Sequence, residues 1–467
     1  MRYLTNLSVI ALFTGICGAP AAQAQTALNL HALQGLAPFS ALGNTQAGKA
    51  VLAANYTVTG AIQTGTANQP ALQPFADQQK QALRDAYITF GNAAEFADGL
   101  GSKLGAVYLA GAAYNSSDNG KTATFTSISP DIANLILYSA TLTQSDSNAA
   151  KYFFANGTSK TGKGPAVPAS AAAEAILAAF HGTTDVLGKA YGVPAGSKGA
   201  DPYGDSRPYQ TEKTVLKFTD PDYYGEPSGN DEYLNGPAQD LTASPSFPSG
   251  HTTYGYTEST LLAILVPARF TQEVTRGAEY GNSRIIVGAH YAVDVIGGRT
   301  LAYYDLAQLL SENPAYLGQK EGKAKPIAKY DVAVKTARSE LIKDLETGAG
   351  ENIASAAAQD TSRFSNPSAD QAFYESTQTY GLPVVYPDEA AKPENIAAIA
   401  PEAGYLLTAA FPYLTLKQAD HILTVTEGPG GGFLDNGSAF GVYSRLDLYK
   451  ASVQAQALLA AKTKHKA

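Results

Sequence analysis

His290 stands in a motif that could hold and attack a tetrahedral oxyanion. Asp294 follows it by four residues, and Arg284 precedes it by six. Residues four apart share one face of a helix, so Asp294 could accept the Nδ1 proton and leave Nε2 as a nucleophile. The β-branched run at 285–287 predicts an extended approach to a helix that begins near Gly288, with Arg284 beside its N-terminus. Alone, the pair could equally be a histidine and a carboxylate that satisfy each other inside a helix.

A second motif, Pro248-Ser249-Gly250-His251, predicts the start of another helix. Ser249 is a suitable N-cap, and Gly250 lets an anion approach the backbone closely. Unpaired N–H groups and the dipole make a helix N-terminus an anion site, so His251 would lie beside the anion as a general acid. The dipole disfavours its imidazolium form, whereas a bound phosphate favours it; we expect the phosphate to dominate. An ordinary capped helix with an exposed histidine is the alternative.

Cations for such a site could come from the segment upstream of these motifs. Arg207, followed by Pro208, could grip two phosphate oxygens at once, and Lys198 could add a point charge. Lys189 is the second candidate lysine. No dense array of metal-ligating residues accompanies them, so no metal site is predicted.

Arg-Pro, Pro-Ser-Gly-His and Ser-Arg-x5-His-x3-Asp, in this order, resemble the motifs of the PAP2 superfamily. That superfamily groups type 2 phosphatidic acid phosphatases, bacterial class A acid phosphatases and vanadium-dependent haloperoxidases. The last two motifs match at every position, and Gly297-Gly298-Arg299 continues the run. The motifs span about residues 198–299, and segments 411–414 and 444–449 resemble large secreted bacterial members. One position departs: where the family's first motif has a lysine seven residues before its arginine, this chain has Ala200.

The resemblance implies an all-α fold, a helical bundle of the PAP2/haloperoxidase type with long loops and a helical C-terminal extension. It implies a metal-independent acid phosphatase without a cofactor, whose substrate is a small-molecule phosphate ester. His290 would form a phosphohistidine, Asp294 would orient it, and His251 would protonate the leaving alkoxide and later deprotonate water. The implied phosphate-binding residues are Lys198, Arg207, Ser249, Gly250 and Arg284. Lys198 is assigned through a two-residue loop insertion, since it stands nine residues before the arginine.

Two other functions fit the same motifs. In a haloperoxidase, vanadate would be the cofactor and His290 would ligate vanadium. The chain has one Cys (Cys17), one Met (Met1) and no Trp, which suits an enzyme exposed to an oxidant, although compositional bias explains it as well. A non-catalytic phosphate-binding protein is the second alternative. A lipid phosphate also remains open as a substrate.

The first residues have the pattern that is typical of a secretory signal peptide. Arg2 precedes an apolar run at 7–17, and small residues follow up to Ala24, so we expect cleavage near Ala24 and a periplasmic or secreted protein. No later run approaches membrane-spanning length, which predicts a soluble protein after export. The formal net charge of −8 argues against nucleic acid and anionic membranes as partners. The oligomeric state is not predicted.

The patterns also predict how the chain is divided. We expect a signal peptide at 1–24, an N-terminal region at 25–120 that is irregular to about 75, a catalytic core at 121–315 and a helical extension at 316–467 that packs on it. A long loop at 194–249 would form a lid or wall over the site. Predicted helices cover 77–114, 131–142, 169–191, 253–270, 289–311, 330–347, 402–410 and 446–461.

Overall fold

The computed structural model describes residues 29–86, 93–111, 113–114, 123–124, 129–155, 157, 170–198, 202–212, 215–221, 227–229 and 241–464. Helices dominate these residues, which confirms the all-α prediction. The α-helices are, in chain order, α1 (Leu30–Leu36), α2 (Gln46–Gln63), α3 (Phe75–Ala86), α4 (Ser102–Gly111), α5 (Pro130–Ala155), α6 (Ala171–Ala179), α7 (Val186–Ala190), α8 (Pro208–Thr211), α9 (Gly250–Leu265), α10 (Phe270–Ile286), α11 (Ala292–Leu310), α12 (Tyr330–Ala349), α13 (Ile353–Ala358), α14 (Pro367–Thr379), α15 (Pro387–Ala390), α16 (Ile396–Ile399), α17 (Tyr405–Thr408), α18 (Leu416–Val425) and α19 (Leu448–Lys464).

Short elements connect the α-helices. The 3-10 helices cover Ala37–Asn44, Ala93–Leu100, Pro267–Arg269, Pro401–Gly404 and Gly441–Ser444. Two antiparallel ribbons pair β1 (Ala113–Tyr114) with β2 (Ala123–Thr124), and β3 (Thr219–Pro221) with β4 (Pro227–Gly229). The predicted loop at 194–249 therefore contains α8 and the β3–β4 ribbon. Part of the remainder of that segment lies outside the described residues, and the predicted signal peptide at 1–24 lies wholly outside them.

Helix α9 is the centre of the fold, and it packs against α5, α10 and α11. Every one of its residues is buried, so it has no polar face despite its many hydroxyl side chains. The helix backbone satisfies several of these hydroxyls. Thr253 Oγ1 donates to Ser249 O at 2.9 Å, and Thr257 Oγ1 donates to Thr253 O at 2.9 Å. The site-bearing end of α9 is thus fixed by packing on all sides.

The N-terminal region corrects the prediction of irregular structure to about residue 75. α1, a 3-10 helix and α2 occupy residues 30–63. Thr45 caps α2 by accepting from Gly48 N at 3.0 Å, and alanines within the helix favour it. The apolar periodicity is hard to see because α2 buries Asn55 and Thr59 on its inner face. Their side chains bond to the core instead of to water.

Other helix boundaries also differ from the predicted ones. The predicted helix at 77–114 is interrupted between α3 and α4, and the one at 169–191 is split into α6 and α7. The split lies where His181 takes a positive φ of 50°, which ends a right-handed helix. At 402–410 a 3-10 helix precedes the short α17. The boundaries at 24, 120 and 315 remain predictions.

Arg299, from the Gly-Gly-Arg run, joins the core to the C-terminal segment. Its guanidinium donates to the carbonyl oxygens of Gln378 at 3.0 Å and Ser444 at 2.9 Å. This arginine therefore binds backbone carbonyl groups and is not one of the cations of the predicted oxyanion site. Among the described residues, no helix is long and apolar enough to cross a membrane.

Glycines let α10 lie close against α9. A Cβ added at Gly255 would lie 2.5 Å from Tyr280 Cε1, and one at Gly277 would overlap the Ser259 side chain. Tyr280 in turn stacks beneath the Arg284 guanidinium, which lies 4.8 Å from its ring centroid. The close approach of these two helices therefore helps to place Arg284.

We predict that Gly255→Ala lowers the free energy of unfolding by about 1–3 kcal/mol, because the buried ring of Tyr280 must move. The matched control is Gly60→Ala in α2, where an added Cβ meets nothing within 4 Å and should stabilise by about 0.4–1 kcal/mol. Urea unfolding of both variants measures the difference. Equal effects of the two substitutions would contradict the close helix packing.

Candidate active site

The candidate site lies at the N-terminus of α9. Ser249 is the N-cap, as the motif predicts, and its Oγ accepts from Thr252 N at 3.1 Å. Gly250 is the first residue of α9, and His251 is the second. The peptide bond between Phe247 and Pro248 is cis. The helix N-terminus therefore carries the glycine and the histidine side by side, with its dipole directed at the same place.

The segment around His290 differs from the predicted extended approach. Residues 283–286 form the last turn of α10, Gly288 takes a positive φ of 77°, and α11 begins at Ala292. Complete burial of Ile285 explains why a β-branched run is helical here, since tertiary packing outweighs local propensity. His290 thus lies in the connection before α11, and Arg284 lies at the end of the preceding helix.

The N-terminus of α11 is satisfied by protein atoms. Ala292 N donates to Thr59 Oγ1 at 3.2 Å, and Val293 N donates to Asn55 Oδ1 at 3.1 Å. Tyr291 N donates to Asp294 Oδ2 at 2.8 Å. These contacts correct the expectation that Arg284 would serve an anion at this helix start. They also give helix α2 a role, because it caps the helix that carries Asp294.

Asp294 lies directly behind His290. Its Oδ2 is 3.4 Å from His290 Nδ1, and it accepts a short hydrogen bond from Ser246 Oγ. Both His290 and Asp294 are fully buried. A proton on Nδ1 directed at this carboxylate leaves Nε2 with its lone pair free to accept or attack.

The two histidines face each other. His290 Nε2 lies 3.4 Å from His251 Nδ1, and the ring centroids are 5.7 Å apart. Arg207 Nη1 is 2.9 Å from the same Nε2. The nucleophile, the acid and a guanidinium therefore converge on one point above the N-terminus of α9.

Backbone and hydroxyl oxygens hold Arg207 rigidly. Its Nε donates to Ser244 O at 3.0 Å, Nη1 donates to Ala289 O at 3.0 Å, and Nη2 donates to Pro245 O at 3.0 Å. The side chain is fully buried. An oxyanion bound here would take the Nη1 contact that His290 occupies, so Arg207 needs little rearrangement to bind it.

Burial and nearby cations govern the ionisation of the site. Burial is the largest cause that lowers the pKa of both His251 and His290, and Arg207, Arg284 and Lys151 lower it further. Burial also raises the pKa of Asp294 to about 6, although Ser246 and the Tyr291 amide act against it. Both imidazoles are therefore kept neutral in the protein without an anion.

The structure brings together most of the residues that the motifs select. His251, His290, Asp294, Arg207, Ser249 and Gly250 share the site, and Arg284 acts on both histidines through its charge. The side chain of Lys198 is exposed after α7, and that of Lys189 is exposed and lies 3.2 Å from Thr183 Oγ1. Neither lysine is among the charges that act on the two histidines.

Sequence reasoning missed Lys151 and Ser246. Lys151 is on α5, 4% exposed, far from every motif in the chain. Ser246 lies two residues before the Pro-Ser-Gly-His motif, and only its contact with Asp294 reveals its role. A buried lysine on an otherwise unremarkable helix has no local signal, so only the fold could place it in the site.

Comparison with known proteins finds a family match over part of the chain. Residues 201–309 match the family model described as PAP2 superfamily. The matched segment, residues 201–309, is less than half of the chain. It contains Arg207 and both histidine motifs, whereas Lys151 and helix α2 lie outside it.

Curated relatives of the chain are named as acid phosphatases. An acid phosphatase of Zymomonas mobilis is 42% identical over 64 residues, covering 14% of this chain and 24% of the relative. A non-specific acid phosphatase of Salmonella typhimurium is 41% identical over 69 residues, covering 15% and 28%. One of Providencia stuartii is 30% identical over 161 residues, covering 32% and 62%. The chain thus spans about a quarter of the first two relatives and less than two thirds of the third.

No group of three or more His, Cys, Asp or Glu side chains that could hold a metal ion occurs within the described ranges. The polar groups of the candidate site are instead mostly cations and hydrogen-bond donors. Such a set suits an anion better than a metal ion.

We predict that Asn55→Ala lowers the free energy of unfolding by about 1–3 kcal/mol, because it strips an acceptor from Val293 N and a donor from Tyr191 Oη, 2.6 Å away. The matched control is Asn44→Ala, whose bond to His181 O is exposed and whose loss should cost under about 0.5 kcal/mol. Chemical denaturation compares the two. If both variants lose the same small free energy of unfolding, α2 does not stabilise the helix that carries Asp294.

We predict that His251 makes the empty protein less stable in acid. Its pKa is lowered in the folded state, so below pH 6.5 the unfolded chain binds a proton that the folded chain excludes. The stability of the wild type relative to His251→Asn should therefore fall by about 1–2 kcal/mol between pH 7 and pH 5. The same comparison with His421→Asn, at an exposed position, is the control. A difference that is constant with pH would contradict the buried neutral imidazole.

Proposed function

We propose that the protein is a phosphatase that hydrolyses phosphomonoesters without a metal ion, through a phosphohistidine intermediate. The observation that carries the proposal is the convergence of His290 Nε2 and His251 Nδ1, 3.4 Å apart, at the N-terminus of α9. Asp294 stands behind the first histidine, and Arg207 stands beside it. The names of the curated relatives support the same reaction class.

The first half of the reaction transfers the phosphoryl group to the protein. His290 Nε2 attacks phosphorus, and the bond from phosphorus to the ester oxygen breaks. The departing alkoxide takes a proton from His251 and leaves as the alcohol. Asp294 stabilises the positive charge that develops on the His290 ring through Nδ1.

The second half returns the protein to its starting state. Neutral His251 takes a proton from water as the water oxygen attacks phosphorus, and the bond from phosphorus to Nε2 breaks. Inorganic phosphate leaves, and His251 is protonated for the next cycle. General acid–base catalysis of this kind contributes about 10²–10⁴-fold.

Charge in the site reconciles this mechanism with the low pKa of His251 in the empty protein. Arg207, Arg284 and Lys151 are among the causes that lower it. A bound phosphate dianion offsets these cations and raises the pKa of the adjacent imidazole. The substrate itself would therefore create the protonated acid that its leaving group needs.

The equatorial oxygens of the phosphoryl group would meet fixed donors. Arg207, Arg284 and the N–H groups at the start of α9 are the proposed cradle, with Ser249 and Gly250 forming that helix start. Such preorganised donors stabilise developing charge without rearrangement. We further propose that the protein is exported after removal of residues 1–24, in keeping with the apolar run at 7–17.

A vanadium-dependent haloperoxidase is the second candidate. The observation that favours it is compositional, since Met1 and Cys17 are the single Met and Cys of the chain and Trp is absent. The residues of the cradle would hold vanadate as they would hold phosphate, with His290 Nε2 as the ligand to vanadium. Bromination in the presence of vanadate, peroxide and bromide would favour this candidate, whereas inhibition of phosphate release by vanadate favours the phosphatase.

We predict that His290→Ala abolishes hydrolysis of p-nitrophenyl phosphate, with a loss of about 10³-fold or more, and that no phosphoprotein forms. His251→Ala should lower turnover by about 10²–10⁴-fold yet accumulate a phosphoprotein. p-Nitrophenolate leaves without much help from an acid, whereas attack by water requires the base. Rapid acid-free quenching with ³²P-labelled substrate measures the bound label, which should be stable in alkali and labile in acid.

His421→Ala is the control for these substitutions, because this exposed histidine lies outside the site. It should leave both turnover and labelling unchanged. Near-wild-type hydrolysis by His290→Ala would refute the nucleophile assignment. Label that survives in His290→Ala would place the phosphoryl group on another residue.

A further inference from the structure

We infer that Lys151 and Ser147, on helix α5, bind phosphoryl oxygens at the N-terminus of α9 and complete the cradle. The inference rests on the proposed function, because it assigns two more residues to the same anion site. Both residues lie outside the matched segment 201–309 and outside every motif of the sequence. They would supply the phosphate-binding group that is missing at Ala200, where the family motif has a lysine.

The two side chains face the same atom of the site. A Cβ placed on Gly250 would lie 3.4 Å from Ser147 Oγ, 3.6 Å from Lys151 Cε and 3.7 Å from Lys151 Nζ. Their four-residue spacing puts them on one face of α5, and α5 packs against α9. The absent side chain of Gly250 thus leaves a space that is bordered by a hydroxyl and an ammonium.

Ser147 provides an observation that is independent of the helix N-terminus. Its side chain is fully buried, and Oγ has no hydrogen-bond partner among the described residues. A buried hydroxyl without a partner is costly, by about 1–3 kcal/mol. A tetrahedral anion at the start of α9 would accept this hydrogen bond.

The burial of Lys151 is the second independent observation, because a buried ammonium group needs a negative partner. Burial is the largest cause that lowers its pKa, and Arg207 lowers it further, while Asp205 and Asp294 act in the opposite direction. Lysine is almost never this deeply buried unless it is paired. A bound dianion beside Gly250 would stabilise the ammonium form, so the charge of Lys151 and the occupancy of the site support each other.

The position of Lys151 also distinguishes it from the lysine chosen by sequence. Lys151 is among the charges that act on both His251 and His290, whereas Lys198 is not. The Lys198 side chain is exposed. The cation expected in the loop before Arg207 is therefore supplied from α5.

The test compares Lys151→Met with Lys198→Met in the full chain. Methionine is an unbranched apolar side chain that adapts to its surroundings, so the substitution removes the ammonium group while the space stays filled. We expect Lys151→Met to weaken inhibition by inorganic phosphate by about 10- to 100-fold, the range for a hydrogen bond to a charged group. Lys198→Met should change it less than twofold. Ser147→Ala should weaken it by about three- to tenfold.

Thermal unfolding with inorganic phosphate gives a readout that does not need turnover. A ligand that binds only the folded state raises its stability in proportion to the logarithm of its concentration over Kd. Saturating phosphate should raise the melting temperature of the wild type and of Lys198→Met equally. The same phosphate concentration should raise the melting temperature of Lys151→Met much less, whatever the melting temperature of this variant is without phosphate.

The outcomes separate the two proposals. Wild-type hydrolysis with an unchanged phosphate affinity in Lys151→Met would overturn the role of Lys151 and leave the phosphatase intact. If the wild type has no phosphatase activity but binds phosphate, and Lys151→Met binds it more weakly, the anion site would be upheld and the proposed phosphatase function would be overturned. A wild type that neither binds phosphate nor hydrolyses esters would overturn both.

Discussion

The structure depends on one electrostatic constraint, the burial of positive charge at the N-terminus of α9. Arg207, Arg284 and Lys151 are between 0% and 4% exposed there, and the helix dipole adds to their field. Asp294 offsets part of this charge, but burial raises its pKa to about 6. Such a cluster costs stability while it is empty. An oxyanion that bound there would relieve the cost, which is why we regard the arrangement as a binding site and not as a structural ion pair.

The surrounding helices bury this charged centre and fix its side chains. α2 caps α11 through Asn55 and Thr59, and the backbone of residues 244–245 and 289 fixes the Arg207 guanidinium. On the opposite side, Arg299 ties α11 to the C-terminal segment. Residues outside the matched segment 201–309 therefore help to position the helix that carries Asp294.

The motifs predicted which residues lie together better than they predicted the local backbone. Ser249, Gly250 and His251 form a capped helix start as expected, because capping depends on residues adjacent in sequence. The prediction of an extended approach to His290 was wrong, because burial of Ile285 extends α10 through a run that favours strands. The helical N-terminal region was missed because Asn55 and Thr59 face the core. Lys151 could not be found at all, because its proximity to Gly250 arises only from the packing of α5 on α9.

We propose above all that an oxyanion binds between His290, the start of α9 and helix α5. A crystal structure with tungstate, whose metal scatters strongly, tests it most directly. We expect one tungstate per chain, with tungsten next to His290 Nε2 and its oxygens bonded to Arg207, to the N–H groups at Gly250 and His251, and to Lys151 Nζ. Tungstate bound elsewhere, with Arg207 Nη1 still in contact with His290 Nε2, would contradict it.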